Sequence, residues 1–242
     1  MLHEHREAET PMNINTLHFW SAICSFLVCL YSPLVSADSD DWNLRYSQDG
    51  LNVYTKHIEG AQIKSFRAEM EVDVPLQQVL AVIKDVKHYS NWFHLCRSYE
   101  VVQGAMDLGE YIGYYVVEAP WPLKDRDVYV KNVMTQDPDT HIVTILTNAV
   151  PDFKPVNTEF TRVPEVYGRW TFKPLSPERT YIEFIGHGHP GGIIPVWIAN
   201  LVVTDVPKKS FLNLRALFDD PKNRQNEVLG GPAADLNASN AH

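Results

Sequence analysis

Apolar and polar residues alternate along 63–73, with Phe66, Ala68, Met70 and Val72 on one side and Arg67, Glu69, Glu71 and Asp73 on the other. A period of two belongs to a β-strand with one face in a core and the other in water. The stretch 51–57 reads as the strand before it, opened by the Asp49-Gly50 turn signal. After Pro75 the period changes. Leu76, Val79, Leu80, Ile83 and Val86 recur at helical spacing, and a first helical turn tolerates proline. Further strands are predicted at 98–103, 111–118, 127–135, 141–147, 168–173 and 180–187. Short links rich in Gly, Pro, Asp and Asn separate most of them, as an antiparallel meander requires.

The last predicted element, 194–218, breaks this rhythm. Ile194, Val196, Trp197, Ile198, Leu201, Val202 and Val203 make its first half apolar nearly all round, which predicts a buried helix. Pro207 removes a backbone bond and predicts a kink. The remainder, 220–242, is polar and rich in Asn, Ala and Gly, the composition of a disordered tail. The pattern therefore predicts an α+β fold: a curved antiparallel sheet, one short early helix, and a long final helix for the sheet to grip around a cavity.

Composition adds bounds. With 45% hydrophobic and 21% charged residues, the 242-residue chain is an ordinary globular one with a single core. A formal charge of −9 argues against nucleic acid, which needs clustered cations. Lys208 and Lys209 form the only adjacent basic pair, and a solvated helix face accounts for them. The apolar run 19–31 is too short to span a bilayer, which takes roughly 20 residues. Pro33 ends it, and Val35-Ser36-Ala37 offers small residues for a signal peptidase.

This predicts a signal peptide over 1–37, a domain over 38–219, and a periplasmic or secreted monomer. The start of the chain fits less well, because Arg6 stands among Glu4, Glu7 and Glu9, and Met12 is an alternative start. An uncleaved anchor or a buried helix is the other reading of the segment. Cys24 and Cys29 lie within it, so the exported domain would keep Cys96 alone and make no internal disulfide.

Ala119-Pro-Trp-Pro-Leu-Lys-Asp-Arg-Asp127, followed by a strand, resembles the START lipid-transfer domain family, in which a Trp-Pro segment precedes an Arg-Asp pair. Gly168-Arg-Trp-Thr-Phe-Lys-Pro-Leu175 is similar to that family's late strand. Gly191-Gly-Ile-Ile-Pro-Val-Trp-Ile-Ala-Asn200 is similar to the entry of its C-terminal helix, and Val74-Pro75 opens a helix where the family has one. The resemblance covers roughly 40–219. It implies a helix-grip fold whose tunnel, lidded by the last helix, takes up one lipid such as a sterol, phospholipid or ceramide. Some sterol-binding members carry a second basic residue six positions after the arginine; here that place is Asn132.

Arg126 shares strand parity with Val128, Val130, Asn132 and Met134, so a concave inner face would point its guanidinium into the cavity. A charge there needs a partner: Glu118, Asp127, or the head group of a ligand. Tyr114, Val116, Trp170, Phe172, Ile194 and Trp197 are candidates for the ligand wall, and core packing is the alternative for each. Trp121, between two prolines, suits either a membrane interface or a clamped turn.

His187, His189 and Glu183 share parity but make a weak case for a metal. No metal, cofactor or catalytic residue is expected, and no nucleophilic triad or phosphate loop stands out. The leading reading is a carrier of a lipid or other apolar small molecule with transient membrane contact. One alternative is a helix-grip enzyme of cyclase or hydrolase type, with Glu118 as its acid or base. The other is an interaction domain with a filled interior. Opening is expected around Pro207 or in 186–195.

Overall fold

A single sheet organises residues 41–61, 63–106 and 109–220, which the computed structural model describes. The segment 1–37 and the tail from 221 lie outside them, so the signal-peptide and disordered-tail expectations do too. In chain order the strands are β1 (Asn43–Gln48), β2 (Leu51–Lys56), β3 (Ser65–Val72), β4 (Cys96–Gly104) and β5 (Glu110–Val117). There follow β6 (Arg126–Gln136), β7 (Val143–Ala149), β8 (Thr161–Arg162), β9 (Glu165–Ser176) and β10 (Arg179–His189). Helix α1 (Leu76–Lys84) and a 3-10 turn (Val86–Asn91) lie between β3 and β4, and α2 (Val196–Asp219) comes last.

The strands run in the spatial order β1-β2-β3-β10-β9-β7-β6-β5-β4, and only the two-residue β8 pairs in parallel, with β6. Local chemistry explains the joints. Asp49 (φ 50) and Gly50 (φ 76) both take the left-handed region that a two-residue hairpin between twisted strands requires. Leu76, Val79, Val82 and Ile83 bury one stripe of α1 as the chain passes from β3, in mid-sheet, to β4 at the far edge. Irregular registers in β1, β4 and β10 add the local bend that lets a broad sheet curve.

Trp170 anchors the core. Its ring stacks on Phe184 (centroids 4.1 Å), on Phe172 (5.8 Å) and on Phe211 of α2 (5.8 Å). Phe211, Leu214 and Phe218 are buried where the second half of α2 packs on β2 and β3. Full burial of such side chains contributes about 1.5–3 kcal/mol each.

Two strands escape the sequence pattern. β1 is an exposed edge without an apolar alternation, and β8 is too short to have one. The expectation of an all-round buried first half for α2 is corrected. Ile198, Ala199 and Val203 are buried, but Trp197 is 66% exposed and Val202 40%. The helix covers the sheet with one apolar face and leaves another uncovered. It also runs through Pro207 as one element, although the Val203 carbonyl has no proline N–H to accept from.

Candidate functional site

Two chambers that share a wall lie on the concave face of the sheet, the outer one beneath the first half of α2. The outer one, about 230 Å³, is lined from the helix by Ile198, Ala199, Val203 and Val206, and from the sheet by Tyr115, Val117, Val128 and Phe184. It exceeds the roughly 150 Å³ of a dry apolar cavity that admits benzene. The inner one, about 70 Å³, is lined by Tyr89, Tyr99, Tyr111, Tyr115, Asn132 and Thr147. Phe93, Tyr115, Val166 and Phe184 belong to both.

Strand parity sets who faces in. Arg126, Val128, Val130 and Asn132 of β6 are lining residues, whereas Met134, of the same parity, packs against the core and lines neither chamber. On β5 the inner set is Tyr111, Tyr115 and Val117. Tyr114 and Val116 are thus misplaced by one residue in the sequence reading. Tyr114 packs on Tyr129 of β6 (4.5 Å) on the convex face, and Val116 sits there opposite Asp127. Both faces of β5 are apolar, so alternation could not distinguish them. Phe172 has the right parity but does not reach either chamber, because Phe211 of α2 closes the space over the Trp170–Phe172 stack. Trp170 lines the inner chamber and Ile194 the outer, while Trp197 points away.

Arg126 is 7% exposed in the outer chamber's wall. Its guanidinium donates to the Lys124 carbonyl, and among the described residues it has no carboxylate partner. Neither expected partner serves. Asp127 is on the other face, where Arg162 holds it by two hydrogen bonds (3.0 and 2.8 Å) with both side chains buried. Glu118 is exposed at the rim and makes no ion pair with Arg126. Asp125, next in sequence, binds Arg97 (3.1 Å) and the Ala119 N–H (3.0 Å). Burial lowers the Arg126 pKa against the opposing pull of Asp125, yet a guanidinium stays charged.

The inner chamber carries no formal charge. Thr147 Oγ1 donates to Asn132 Oδ1 (2.7 Å), and Asn132 Nδ2 donates to Tyr99 Oη (3.3 Å). Burial raises the pKa of Tyr111 to about 12 and those of Tyr89, Tyr99 and Tyr115 well above the ordinary phenol value, so all four are neutral. The Cys96 thiol is pushed up to about 11 and is unreactive at neutral pH. Sequence reasoning missed these tyrosines because they come from three separate elements.

Around the outer chamber stand loops 119–125 and 190–195, each supplying lining residues. The Leu123 N–H bonds the Pro120 carbonyl (3.0 Å) and Asp125 ties back to Ala119, which holds Trp121 outward at 92% exposure. Ile193, after Gly191 and Gly192 with positive φ, is 96% exposed. Of the three residues considered for a metal, His189 Nδ1 accepts from the Gly191 N–H (3.1 Å) and Glu183 pairs with Arg169 (3.5 Å), while the buried His187 Nδ1 meets no hydrogen-bond partner among the described residues.

A curved antiparallel sheet closed by a C-terminal helix over an apolar chamber is the helix-grip fold. The START domain family matches residues 28–217, and the chain belongs to that family. An uncharacterized protein of Pseudomonas aeruginosa is 28% identical over 181 residues, 75% of this chain and 88% of that one. Human START domain-containing protein 10 is 23% identical over 162 residues, 66% of this chain and about half (55%) of its own. Among solved structures, a fragment of the STAR-related lipid transfer protein of Xanthomonas axonopodis superposes with a TM-score of 0.68 at 27% identity, covering 75% of this chain and all of that fragment. Human StAR-related lipid transfer protein 5, at 14% identity and a TM-score of 0.64 over 84% of this chain and 95% of that one, shares the fold.

Proposed function

We propose that this protein is a lipid carrier: it encloses one single-chain amphiphile, binds that molecule's anionic end at Arg126, and releases it chemically unchanged. The observation that carries the reading is the buried guanidinium in a wall that presents mostly apolar surface, held by one backbone carbonyl. Such a charge is costly without a counter-charge, and a carboxylate or phosphate oxygen offers charge-assisted hydrogen bonds. The neutral phenols and protonated thiol inside favour holding over converting. Trp121, Ile193 and Trp197 suit a bilayer interface, where an indole keeps an apolar body and a polar edge satisfied together. The work site is the periplasm or the exterior after loss of 1–37, a reading supported by the apolar run 19–31 and the small residues before Asp38.

Native mass spectrometry of protein exported from a bacterial host, followed by organic extraction, tests the proposal. The expected result is a mature chain starting at Asp38 with one amphiphile bound, and at least a tenfold loss of it in Arg126→Leu. Empty protein that takes up neither fatty acids, phospholipids nor sterols from vesicles would end the carrier reading.

A further inference from the structure

Four residues, Phe93, Tyr115, Val166 and Phe184, line both chambers and so form the partition between them. Along β6, Arg126 and Val128 line the outer chamber, while Val130 and Asn132 line the inner. The partition therefore crosses the concave face at the level of Val128, which lies opposite Tyr115 in register. At strand rise that is about 7 Å beyond Arg126. A chain whose anionic end is held by Arg126 meets this wall as soon as it runs inward.

Three of the four come from strands, and Phe184 is fixed among them: its ring stacks on Trp170 (4.1 Å) and meets Phe66 edge-on (5.1 Å). Phe93 comes instead from the turn that leads into β4, and its ring meets Tyr89, Trp92 and Phe184 at 6.0, 5.5 and 6.3 Å. Leu95 in that turn takes the left-handed region (φ 66), a strained setting for leucine that persists only where its surroundings hold it. Phe93, His94 and Leu95 can thereby all line the outer chamber, which the alternation of an extended strand forbids. Two hydrogen bonds tie the turn to α2: the His94 N–H donates to Ser210 Oγ (2.9 Å), and Asn213 Nδ2 donates to the Trp92 carbonyl (3.2 Å). Both partners lie beyond Pro207, so Phe93 is anchored independently of the half of α2 that covers the outer chamber.

We infer that Phe93 is a chain-length determinant: its ring closes the outer chamber against the inner one and limits the apolar tail the protein accepts to what the outer chamber holds. The inference rests on the carrier reading and adds the size of the tail. If one carbon fills about 30 Å³, the share of a water molecule in the liquid, the outer chamber's 230 Å³ holds about eight carbons. A longer tail leaves carbons in water or forces packed rings apart, and neither adds affinity. Without the ring, the space it fills and the 70 Å³ of the inner chamber become continuous with the outer one, room for about two carbons or more.

Calorimetry on the exported protein with the even-numbered straight-chain carboxylates from hexanoate to hexadecanoate tests this. Affinity should rise about fourfold per carbon, as burial of a methylene allows, and level off at about eight to ten carbons. In Phe93→Ala the plateau should begin about two or more carbons later, and in Phe93→Leu, which disturbs the packing less, about one carbon later. Phe153→Ala removes a ring that packs on Tyr129 (5.4 Å) and lines neither chamber, so its plateau should match the native one. Affinity that climbs unbroken to hexadecanoate in the native protein, the native plateau in both Phe93 variants, or an equal shift in Phe153→Ala would overturn the inference and leave the carrier reading standing. Binding of none of the acids would bring down both.

Discussion

Arg126 and Asp127 are neighbours in sequence and opposites in role. Their adjacency was legible, and so was the inward parity of Arg126, but not the partner of Asp127: Arg162 arrives from 35 residues away, stacked over Tyr129 (4.8 Å). That pair ties the segment carrying β8 to the convex face, with Arg162 also donating to the Pro151 and Lys154 carbonyls. Asp127→Ala would leave a buried guanidinium without its carboxylate, and urea unfolding should register a loss of about 3–5 kcal/mol. A second titration belongs to Tyr111. Its phenol is raised to about 12 in the fold from about 10 in the unfolded chain. The native state therefore holds the proton longer, so its contribution is intact below pH 10 and is lost as pH rises from about 10 to about 12. In denaturation measured across that window, Tyr111 should contribute a fall in stability of order 2 kcal/mol, and Tyr111→Phe should remove that share, leaving the part due to Tyr89, Tyr99 and Tyr115.

At the scale of elements, periodicity located eight strands and both helices to within a few residues, because each long strand of a half-buried sheet must alternate. It failed where the physics gives no alternation. β5 is apolar on both sides, since its convex face is covered too, and the inward tyrosines cannot be told from the outward one by sequence. α2 looked wholly buried because its outward face is apolar as well, a property unrelated to its core packing. Pro207 now has a functional meaning to test. It lies between the half of α2 that closes the outer chamber and the half that packs on β2 and β3. The missing bond to Val203 weakens the helix at that joint. Pro207→Ala should stabilise the helix by about 1–3 kcal/mol and slow ligand exchange several-fold, with amides on 196–206 becoming more protected from hydrogen exchange. Faster or unchanged exchange in the variant would place the opening in loop 190–195 instead.

For the whole molecule, charge and apolar surface make opposite demands of a membrane. The full chain is −9 and stays acidic after loss of 1–37, so an anionic bilayer repels it at long range, whereas the rim residues Trp121, Ile193 and Trp197 gain from contact with any interface. If contact with the bilayer limits the rate, transfer between neutral vesicles should be fast and nearly independent of salt. Adding anionic lipid should slow transfer, and raising salt should restore it, the reverse of a protein that docks through lysines. Replacing Trp121, Ile193 and Trp197 together by serine removes the apolar rim, and none of the three lines either chamber. The triple variant should keep its affinity for ligand in solution and lose about tenfold in transfer rate, since burying a large apolar side chain at an interface is worth on the order of 1 kcal/mol or more. A parallel loss of solution affinity would mean that the rim holds the ligand itself, and the division between a docking rim and a recognising interior would have to be redrawn.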